Sequence, residues 1–367
     1  MERILKRNQV EIEVSMNDQI KKFGIDSLYG FNIIILIGIG RRLGIFNYLY
    51  GKGKSIPTHD NTKSIIFTPD ELSEKLNLDN NYLDAWIHLA IECELLEIEN
   101  VNEKWLKTSP YIYEILINRN HPSYIGGTLG AFYNITLIQE KMLKNFKTGE
   151  AMDLLDFPLE MAKDLQERGR RFGILIKRLF HKHFKDFCEK LDEKSKILEV
   201  GCGFGYNLET WAKKFQKAEF VAIGIDPEGI NHAKKVVEEN EWDERIKILE
   251  ISVKKFAHTY NEKFNLIILN QVLHEMDPDE NFRIKLFKDL YSLLKDDGIL
   301  LVGESMIPDT FAPKQKFKLF DITHKFFEAG SASFYNEETF KKFVESTSFK
   351  KAEFIKEGGT YFWLVKK

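Results

Sequence analysis

The clearest pattern along the chain is an alternation of short, largely apolar runs with helical segments after residue 195. The runs predict strands at Ile197–Val200, Phe220–Ile225, Ile246–Ile251, Leu266–Asn270 and Ile299–Gly303, with helices near 207–216, 228–240, 281–295 and 336–347. Apolar strands that alternate with helices are typical of a parallel sheet covered on both faces. The pattern therefore predicts a doubly wound, Rossmann-like α/β domain.

The end of the chain has two further strand-like runs, 350–356 and 360–366, on either side of Gly358 and Gly359. Two runs joined by such a short glycine-containing turn predict a β-hairpin. The last strand must then run antiparallel to its neighbour. The expected sheet is thus mostly parallel, with an antiparallel last strand.

The first 120 residues have a mainly helical pattern. An apolar helix is predicted from Leu28 to Tyr50, and a capping box with proline at the first helical position starts another helix at Thr68. Helical spacing of apolar residues predicts a helix over Asn80–Cys93, and short strands follow at Leu95–Ile98 and Trp105–Leu106. Helix, helix and hairpin in this order are typical of a winged-helix domain.

These patterns divide the 367-residue chain into three parts, which fits the length expected of about two domains. We expect a helical, winged-helix-like domain over residues 1–120 and the α/β domain over residues 191–367. Residues 121–190 are expected to be helical connectors that line a cleft beside the α/β domain.

Composition and charge exclude several classes of protein. With 53 basic and 56 acidic residues the net charge is −3, so the chain has no overall basic field for nucleic acid. Thr68–Asn100 holds nine acidic residues and one basic residue, Lys75, and we therefore expect no DNA binding by this module. Three widely spaced cysteines predict no disulfide framework and no zinc site, and they indicate a cytoplasmic protein.

The most apolar run, Phe31–Gly40, is followed directly by Arg41 and Arg42. It has about half the roughly 20 residues that a helix needs to cross a bilayer. We therefore expect a buried helix here and no membrane partner.

The strongest chemical signal is the segment Ile197–Gly205, ILEVGCGFG, in which a buried strand enters a glycine-rich turn before a helix. Glycines allow positive φ angles and a close approach to a ligand, and the helix N-terminus offers free N–H groups. Asp226 ends the next strand, 21 residues after Gly205, where a carboxylate accepts the hydroxyls of a ribose. These residues predict a site for a ribose-containing cofactor.

Two cofactor classes compete for this site. Dinucleotide-binding turns follow the pattern G-x-G-x-x-G, which would place glycine where this chain has Tyr206. The bulky tyrosine does not suit a pyrophosphate, but it suits the amino-acid end of S-adenosylmethionine, with Glu199 near the amino group. The methyl donor is therefore favoured over a nicotinamide cofactor.

The segment 197–205, Asp226 and the terminal hairpin resemble class I S-adenosylmethionine-dependent methyltransferases. Residues 269–308 resemble more specifically the small-molecule O-methyltransferases of plants and bacteria, and the N-terminal segments RRLGIFNYL, FTPDELSEKLNL and LLEIENVNEKWLKTSP resemble that family's dimerisation domain. The resemblance implies S-adenosyl-L-methionine as cofactor, a small hydroxylated acceptor of aromatic or polyketide-like type, and a homodimer formed through the N-terminal domain.

The resemblance also implies roles for individual residues. His274 matches the general base that takes a proton from the acceptor hydroxyl, and Glu304 matches the carboxylate that orients it. The implied cofactor site consists of Glu199, Gly201, Gly203, Gly205, Asp226, Ser252, Val253 and Asn270, with acceptor contacts from Tyr133 and His324. No metal ion is expected.

Some positions depart from the family's pattern. A second glutamate expected beside the base, just before the helix near 337, has no clear counterpart, and Phe334 or Tyr335 falls near its place. The third strand ends in Ser252 where Gly-Asp is usual, and Asn270 replaces a lysine. Methylation of carbon or nitrogen therefore stays open, as does a regulator that senses S-adenosylmethionine without turnover.

Overall fold

The computed structural model describes residues 15–54, 64–152, 157–313, 318–330, 332–349, 351–357 and 360–367. The chain separates into two compact units, of which the first ends at Tyr113 and the second begins at Glu114. The predicted boundary at residue 120 lies close to this division, and the connectors fall within the second unit. Their separation from the α/β domain as a third part stays a prediction.

The first unit combines helices with a small antiparallel sheet of three strands, in which the last strand of the chain order lies between the other two. Its described elements are α1 (Met16–Ile20), α2 (Asp26–Arg42), α3 (Ile45–Lys54), β1 (Ile66–Phe67), α4 (Pro69–Leu76), α5 (Asn80–Glu92), β2 (Leu96–Asn100) and β3 (Trp105–Thr108). The Thr68 side chain caps α4 as its sequence predicts. The order of helix, helix and hairpin is the expected one, and assignment to the winged-helix class stays a prediction.

The single helix predicted over Leu28–Tyr50 is wrong, because the structure has two helices there. The helix α2 ends at Arg42, and α3 begins at Ile45. Gly44 between them has a φ of +75°. Glycine adopts this left-handed conformation at little cost, and it commonly ends a helix in this way.

The apolar run Phe31–Gly40 is only partly buried, so the prediction of a buried helix is wrong for its first residues. Leu36 and Ile37 are buried, whereas Phe31 is 54% exposed and Leu28 before it is 62% exposed. The continuous helical stretch Met16–Arg42 is long and apolar enough to cross a membrane by length and composition alone, a test that core helices also pass. Its exposed apolar face lacks a covering element in the described chain.

The second unit contains the α/β domain and the helices that precede it. Its described elements are α6 (Gly126–Tyr133), α7 (Gln139–Thr148), α8 (Leu159–Gln166), α9 (Arg168–His183), α10 (Lys185–Asp192), β4 (Lys196–Val200), α11 (Tyr206–Lys214), β5 (Glu219–Gly224), α12 (Pro227–Glu239), β6 (Ile246–Glu250), α13 (Val253–Thr259), β7 (Phe264–Asn270), α14 (Glu280–Leu293), β8 (Leu294–Gly303), α15 (Leu319–Phe327), α16 (Glu337–Glu345), β9 (Lys351–Glu357) and β10 (Thr360–Lys366). Short π or 3-10 turns lie at Lys21–Ile25, Tyr113–Ile117, Ile135–Ile138 and Leu273–Glu275.

The described strands of this unit form one seven-stranded sheet of order β6-β5-β4-β7-β8-β10-β9. The first five strands in this order are parallel, and β10 is antiparallel to both β8 and β9. The mostly parallel sheet and its antiparallel last strand are thereby confirmed. Sequence patterning missed α13 and α15, which have only seven and nine residues.

Aromatic side chains fill both faces of the sheet. Phe180, Trp211 and Phe215 are buried on one face, and Phe256 and Phe287 are buried on the other. Chain order reverses between the neighbouring strands β4 and β7. A reversal of this kind opens a crevice at the carboxyl ends of the strands, which is the usual ligand site of doubly wound sheets.

Candidate active site

A cavity of about 1120 Å³ lies at this edge of the sheet, within the second unit. The turn after β4 and the ends of β5 and β7 form its floor, and residues of the connector helices, among them Gln166 and Phe172, complete its wall. Ligand cavities in proteins commonly have volumes of roughly 300–1,000 Å³. The cavity is therefore large enough for two small molecules.

The glycine-rich turn after β4 depends on its glycines in two different ways. Gly201 and Gly203 line the cavity with φ angles of +70° and +48°. A Cβ atom on Gly201 would collide with Val272, and one on Gly203 would collide with Gln166. Gly205 does not line the cavity; it precedes α11, and a Cβ there would lie 3.1 Å from Ala233. Gly205 therefore allows close packing against α12, and its predicted cofactor contact stays a prediction.

Glu199 at the end of β4 is a buried carboxylate with an unused acceptor. Its Oε1 accepts a hydrogen bond of 2.7 Å from Nδ2 of Asn207. Its Oε2 and the Asn207 Oδ1 have no hydrogen-bond partner among the residues that the structure describes. Burial raises the pKa of Glu199 to about 7, although the hydrogen bond from Asn207 opposes this shift. The pair is therefore suited to receive a positively charged donor.

Asp226 and Ser252 line the cavity and also cap the helices that follow them. Asp226 accepts hydrogen bonds from the backbone N–H groups of Glu228 and Gly229 at the start of α12. Ser252 accepts one from Lys255 at the start of α13. A cap holds each side chain at the cavity edge while its remaining lone pairs stay available.

Val253 and Asn270 complete the part of the cavity wall predicted to bind the cofactor. Asn270 ends β7, and its Oδ1 is buried without a hydrogen-bond partner in the described parts of the chain. Apart from Gly205, every residue predicted to bind the cofactor therefore lines this cavity.

The cavity also contains His274, which is 2% exposed and lies on the turn that follows β7. Its Nδ1 lies 2.7 Å from Oε2 of Glu304, at the end of β8. The other oxygen of Glu304 accepts hydrogen bonds of 3.0 and 2.7 Å from the backbone N–H groups of Val272 and Leu273. Glu304 thus fixes both the turn and the ring, and the structure brings the predicted pair together.

Arg283 of α14, which is fully buried, holds the same turn from the other side. Its Nη2 donates to the carbonyl oxygens of Leu273, Met276 and Ser333, each at 3.2 Å. The backbone N–H of Ser333 in turn donates to the carbonyl of His274. The histidine is therefore held in place by its backbone as well as by its side chain.

A second carboxylate reaches His274 from α15. Oε2 of Glu328, just after this helix, lies 3.3 Å from Nε2 of His274, and Oε1 lies 2.7 Å from Nε2 of His324. Phe334, which lies near the sequence position where the second glutamate was expected, stacks its ring on His274 with the ring centroids 4.8 Å apart. The carboxylate that sequence reasoning could not place therefore comes from a different element.

These carboxylates change the proton affinity of the cluster. Burial disfavours the charged imidazolium of His274, but Glu304 and Glu328 outweigh it and raise the pKa of His274 to about 10. Burial likewise disfavours the Glu328 carboxylate, but His274 and His324 outweigh it and lower the pKa of Glu328 to about 2. At neutral pH His274 is consequently protonated and Glu328 is ionised.

The two predicted acceptor contacts have different outcomes. His324 lines the large cavity and also a neighbouring cavity of about 30 Å³. Tyr133 lines neither of them, and the smaller cavity is bordered instead by the adjacent Phe132, whose ring lies 6.4 Å from that of Phe327.

Sequence reasoning missed Glu328, Arg283 and Asn207. The only signal for Glu328 was its place four residues after His324, which puts both on one helix face. Arg283 and Asn207 are polar residues within amphipathic helices, and a pattern of this kind does not distinguish buried polar residues from exposed ones.

The chain resembles known proteins most clearly over the second unit. Residues 167–353 match the family described as methyltransferase domain. A protein of Methanocaldococcus jannaschii named as a methyltransferase is 32% identical over 138 residues, which cover 35% of this chain and 52% of that protein. An uncharacterised protein of Rickettsia prowazekii is 24% identical over 116 residues, with coverages of 32% and 45%. The chain spans about half the length of these curated relatives.

Solved structures resemble nearly the whole chain in fold. Human N-acetylserotonin methyltransferase, solved with S-adenosylmethionine, has a TM-score of 0.66 at 16% identity, covering 96% of this chain and 99% of that one. The pyocyanin biosynthetic protein PhzM has a TM-score of 0.67 at 11% identity, with coverages of 95% and 98%. An O-methyltransferase family protein from Burkholderia thailandensis has 0.61 at 14% identity, with coverages of 96% and 98%.

Proposed function

We propose that this chain, which belongs to the methyltransferase-domain family, uses S-adenosylmethionine as its methyl donor and methylates a hydroxyl group of a small molecule. The observation that carries the proposal is the buried pair of His274 and Glu304 inside the cofactor cavity. A hydroxyl group must lose its proton to become a strong nucleophile, whereas a neutral amine is already nucleophilic. A buried imidazole with an orienting carboxylate suits that step.

The side chains of the cavity fit S-adenosylmethionine. Buried oxygen atoms of Glu199, Asn207 and Asn270, which have no partner in the described chain, are acceptors for an ammonium group and other polar donors. We expect Glu199 to hold the ammonium, Asp226 to accept the ribose hydroxyls, and Ser252 and Val253 to border the adenine. When bound, the cofactor supplies an electrophilic methyl group on a sulfonium.

His274 is proposed to accept the proton of the acceptor hydroxyl at Nε2, because Glu304 occupies Nδ1. Nε2 faces Glu328 at 3.3 Å, so the hydroxyl must take the place of this carboxylate. Departure of Glu328 removes one of the three carboxylate charges that favour the imidazolium, so the pKa of His274 falls and the resting Nε2 proton passes to water. The neutral ring can then accept the proton of the hydroxyl. Glu304 then stabilises the imidazolium that forms.

The space beside this cluster suits a small, partly apolar acceptor. Phe157, Met276 and His324 line the large cavity near it, together with the cofactor residues. Aromatic side chains with a few convergent polar groups are typical of small-molecule sites. This lining supports an aromatic or polyketide-like acceptor over a peptide or a nucleic acid.

The direct test is methyl transfer from labelled S-adenosylmethionine to a panel of hydroxylated aromatic compounds, with His274→Ala beside the wild type. We expect transfer by the wild type and a loss of roughly 10²- to 10⁴-fold in the variant, with cofactor affinity retained. His181→Ala, which changes an exposed histidine of α9, is the matched control. Equal rates in wild type and His274→Ala would contradict the proposed base, and a lack of any turnover would favour a sensor.

The proposed cofactor contacts are tested by calorimetry with S-adenosylmethionine and with NAD. Asp226→Ala should weaken binding of the methyl donor, and neither protein should bind NAD tightly. Because Asp226 also caps α12, the control is Asp79→Ala, which removes the comparable cap of α5. Equal weakening by both substitutions would assign the effect to stability and contradict a direct contact.

A homodimer formed through the first unit is also proposed. Phe23, Ile25 and Leu28 are each more than 60% exposed on one continuous helical stretch, and exposed apolar side chains of this size are unfavourable in water. Phe23→Asp should convert a dimer into monomers in light scattering, whereas Tyr82→Asp, at another exposed aromatic residue, should not. A wild-type monomer, or one recruited to phospholipid vesicles, would contradict the dimer.

A further inference from the structure

His274, His324 and Glu328 converge on one point of the large cavity, and the atoms through which they would bind a metal all lie within 4.8 Å of one another. We propose that these three side chains bind a divalent first-row transition-metal ion such as Zn²⁺. This metal site is not part of the proposed function. Only the expected effect of the metal on methyl transfer rests on that function.

The geometry of the three side chains is close to that of a metal centre. His324 and Glu328 are four residues apart at the end of α15, which places both on one face, and His274 faces them from the turn after β7. Glu328 lies 2.7 Å from Nε2 of His324 and 3.3 Å from Nε2 of His274. In a tetrahedral zinc site with bonds of about 2.0–2.2 Å, neighbouring ligand atoms lie roughly 3.4 Å apart. Small side-chain movements therefore suffice to admit an ion.

The surroundings of His274 add independent support. A histidine that binds a metal usually donates its other ring N–H to a carboxylate, which fixes the tautomer. Glu304 provides this partner at 2.7 Å from Nδ1. Nε2, by contrast, lies at ion-pair distance from Glu328 without a hydrogen bond of good geometry, although it is buried. The atom that would bind the ion is thus the less firmly held of the two.

Charge and access also favour a cation. The carboxyl groups of Glu304, Glu328 and Glu275, the last with Oε1 4.0 Å from His274, surround two imidazole rings. With neutral imidazoles the three carboxylates would give this cluster a charge of −3, and a divalent ion would offset two of these charges. Because all three proposed ligands line the cavity, the ion would keep positions open for water or for an acceptor oxygen. Imidazole and carboxylate together suit Zn²⁺, Fe²⁺ and similar ions.

The spacing of the ligands explains why the sequence predicted no metal site. Fifty residues separate His274 from His324, and the pattern H-x-x-x-E on one helix is common on solvated helix faces. Only the fold brings the turn after β7 against the end of α15. The inference therefore depends on tertiary structure.

A bound ion would compete with the proposed base role. With Nε2 of His274 bound to metal, the ring could not accept a proton from the acceptor hydroxyl. We therefore expect Zn²⁺ to inhibit methyl transfer and a chelator to restore it.

Binding is tested on the full chain after dialysis against a chelator, by calorimetry with Zn²⁺ and by absorbance with Co²⁺. We expect one ion per chain, and at least tenfold weaker binding in His324→Ala and in Glu328→Gln. His181→Ala should bind as the wild type does. Retained binding of S-adenosylmethionine shows that each variant is folded. Absence of one-to-one binding, or equal binding by the variants and the wild type, would overturn the site.

These readouts separate the metal site from the proposed function, because they need neither acceptor nor turnover. Methyl transfer that proceeds normally in a chain that binds no metal would leave the function standing and remove the site. Stimulation of transfer by Zn²⁺ would keep the site and overturn the role of His274 as base.

Discussion

The two ends of the cavity differ in how their buried charged groups are paired. At the glycine-turn end, oxygen atoms of Glu199, Asn207 and Asn270 are buried without partners among the described residues. At the histidine end, His274 forms ion pairs of 2.7 Å with Glu304 and 3.3 Å with Glu328. One end therefore has buried oxygen atoms that await a ligand, whereas the other pairs its opposite charges with one another before any ligand arrives.

This difference has consequences for binding. An unpaired buried polar group costs about 1–3 kcal/mol, and a ligand that supplies the missing partner regains that energy. The acceptor, in contrast, must displace an internal contact of the histidine cluster before it reaches Nε2. We therefore expect tighter binding of the cofactor than of the acceptor, and an ordered reaction in which the cofactor binds first.

The largest effect is expected from removing one member of the charge pair at the histidine end. Glu304→Ala removes the partner of His274 Nδ1 and of two backbone N–H groups, and loss of one member of a buried ion pair costs about 3–5 kcal/mol of stability. The catalytic rate should fall by roughly 10²- to 10⁴-fold as well. Urea denaturation and single-turnover assays measure both effects. Glu345→Ala, on an exposed face of α16, should change neither quantity.

The corresponding change at the glycine-turn end should weaken ligand binding without destabilising the protein. Glu199→Gln keeps the shape and the contact with Asn207 but removes the charge. Affinity for S-adenosylmethionine should fall by roughly 10- to 100-fold, since a hydrogen bond to a charged group contributes about 1.5–3 kcal/mol. Calorimetry measures the loss, and a loss of stability like that of Glu304→Ala would erase the distinction between the two ends.

The pH dependence of the same residue sharpens the contrast. The pKa of Glu199 is raised from 4.5 to about 7 in the folded protein, so the folded protein binds this proton more tightly than the unfolded chain does. The protonated group therefore contributes to the stability of the cofactor-free protein, and this contribution is complete below the pKa of the unfolded chain. That contribution is lost as pH rises through about 7, by up to roughly 3 kcal/mol at 1.36 kcal/mol per pKa unit. Cofactor affinity should change in the opposite sense and rise between pH 6 and 8. Glu199→Gln should show neither trend, and a wild-type affinity independent of pH would contradict the charge pairing.

The two ends also differ in how far their sequence predicts them. The residues of the glycine-turn end are close together in the sequence: Glu199 lies near the end of β4, the glycine turn follows β4, and Asp226 follows β5. Local pattern and spacing were therefore enough to identify them. Alternating apolar runs likewise predicted the parallel strands, because burial on both faces requires them to be apolar. The helices α13 and α15 were missed, because seven and nine residues give only a short stretch of helical periodicity.

The histidine end was predicted only as far as its local motif reaches. His274 and Glu304 follow the ends of β7 and β8, and neighbouring parallel strands bring such positions together. Glu328 lies directly after α15, a helix that follows β8 in the chain. Its distance from His274 therefore depends on how α15 packs within the second unit. Tyr133 borders neither cavity, and its acceptor contact stays a prediction, because helical periodicity cannot tell whether Tyr133 or Phe132 faces a cavity.

A smaller effect is expected from loosening the backbone of the histidine turn. Arg283→Lys keeps a positive charge but cannot reproduce the donation of Nη2 to Leu273, Met276 and Ser333. The catalytic rate should fall by about tenfold, because misplaced catalytic groups lose much of their orientation. Cofactor affinity should stay unchanged, and a fall in affinity equal to the fall in rate would show that the two ends are not independent.

The smallest effect is expected from the ring that covers the histidine. Phe334 stacks on His274 with an angle of 12° between the rings, and such aromatic pairs contribute about 0.5–1.5 kcal/mol beyond burial. Phe334→Leu keeps an apolar cover but loses the stacking, so the rate should fall only a few-fold at saturating cofactor. Phe334→Glu should instead place a further carboxylate beside the ring and raise the pKa of His274. A larger loss in Phe334→Leu than in Phe334→Glu would mean that the stack, and not the surrounding charge, determines the reactivity of His274.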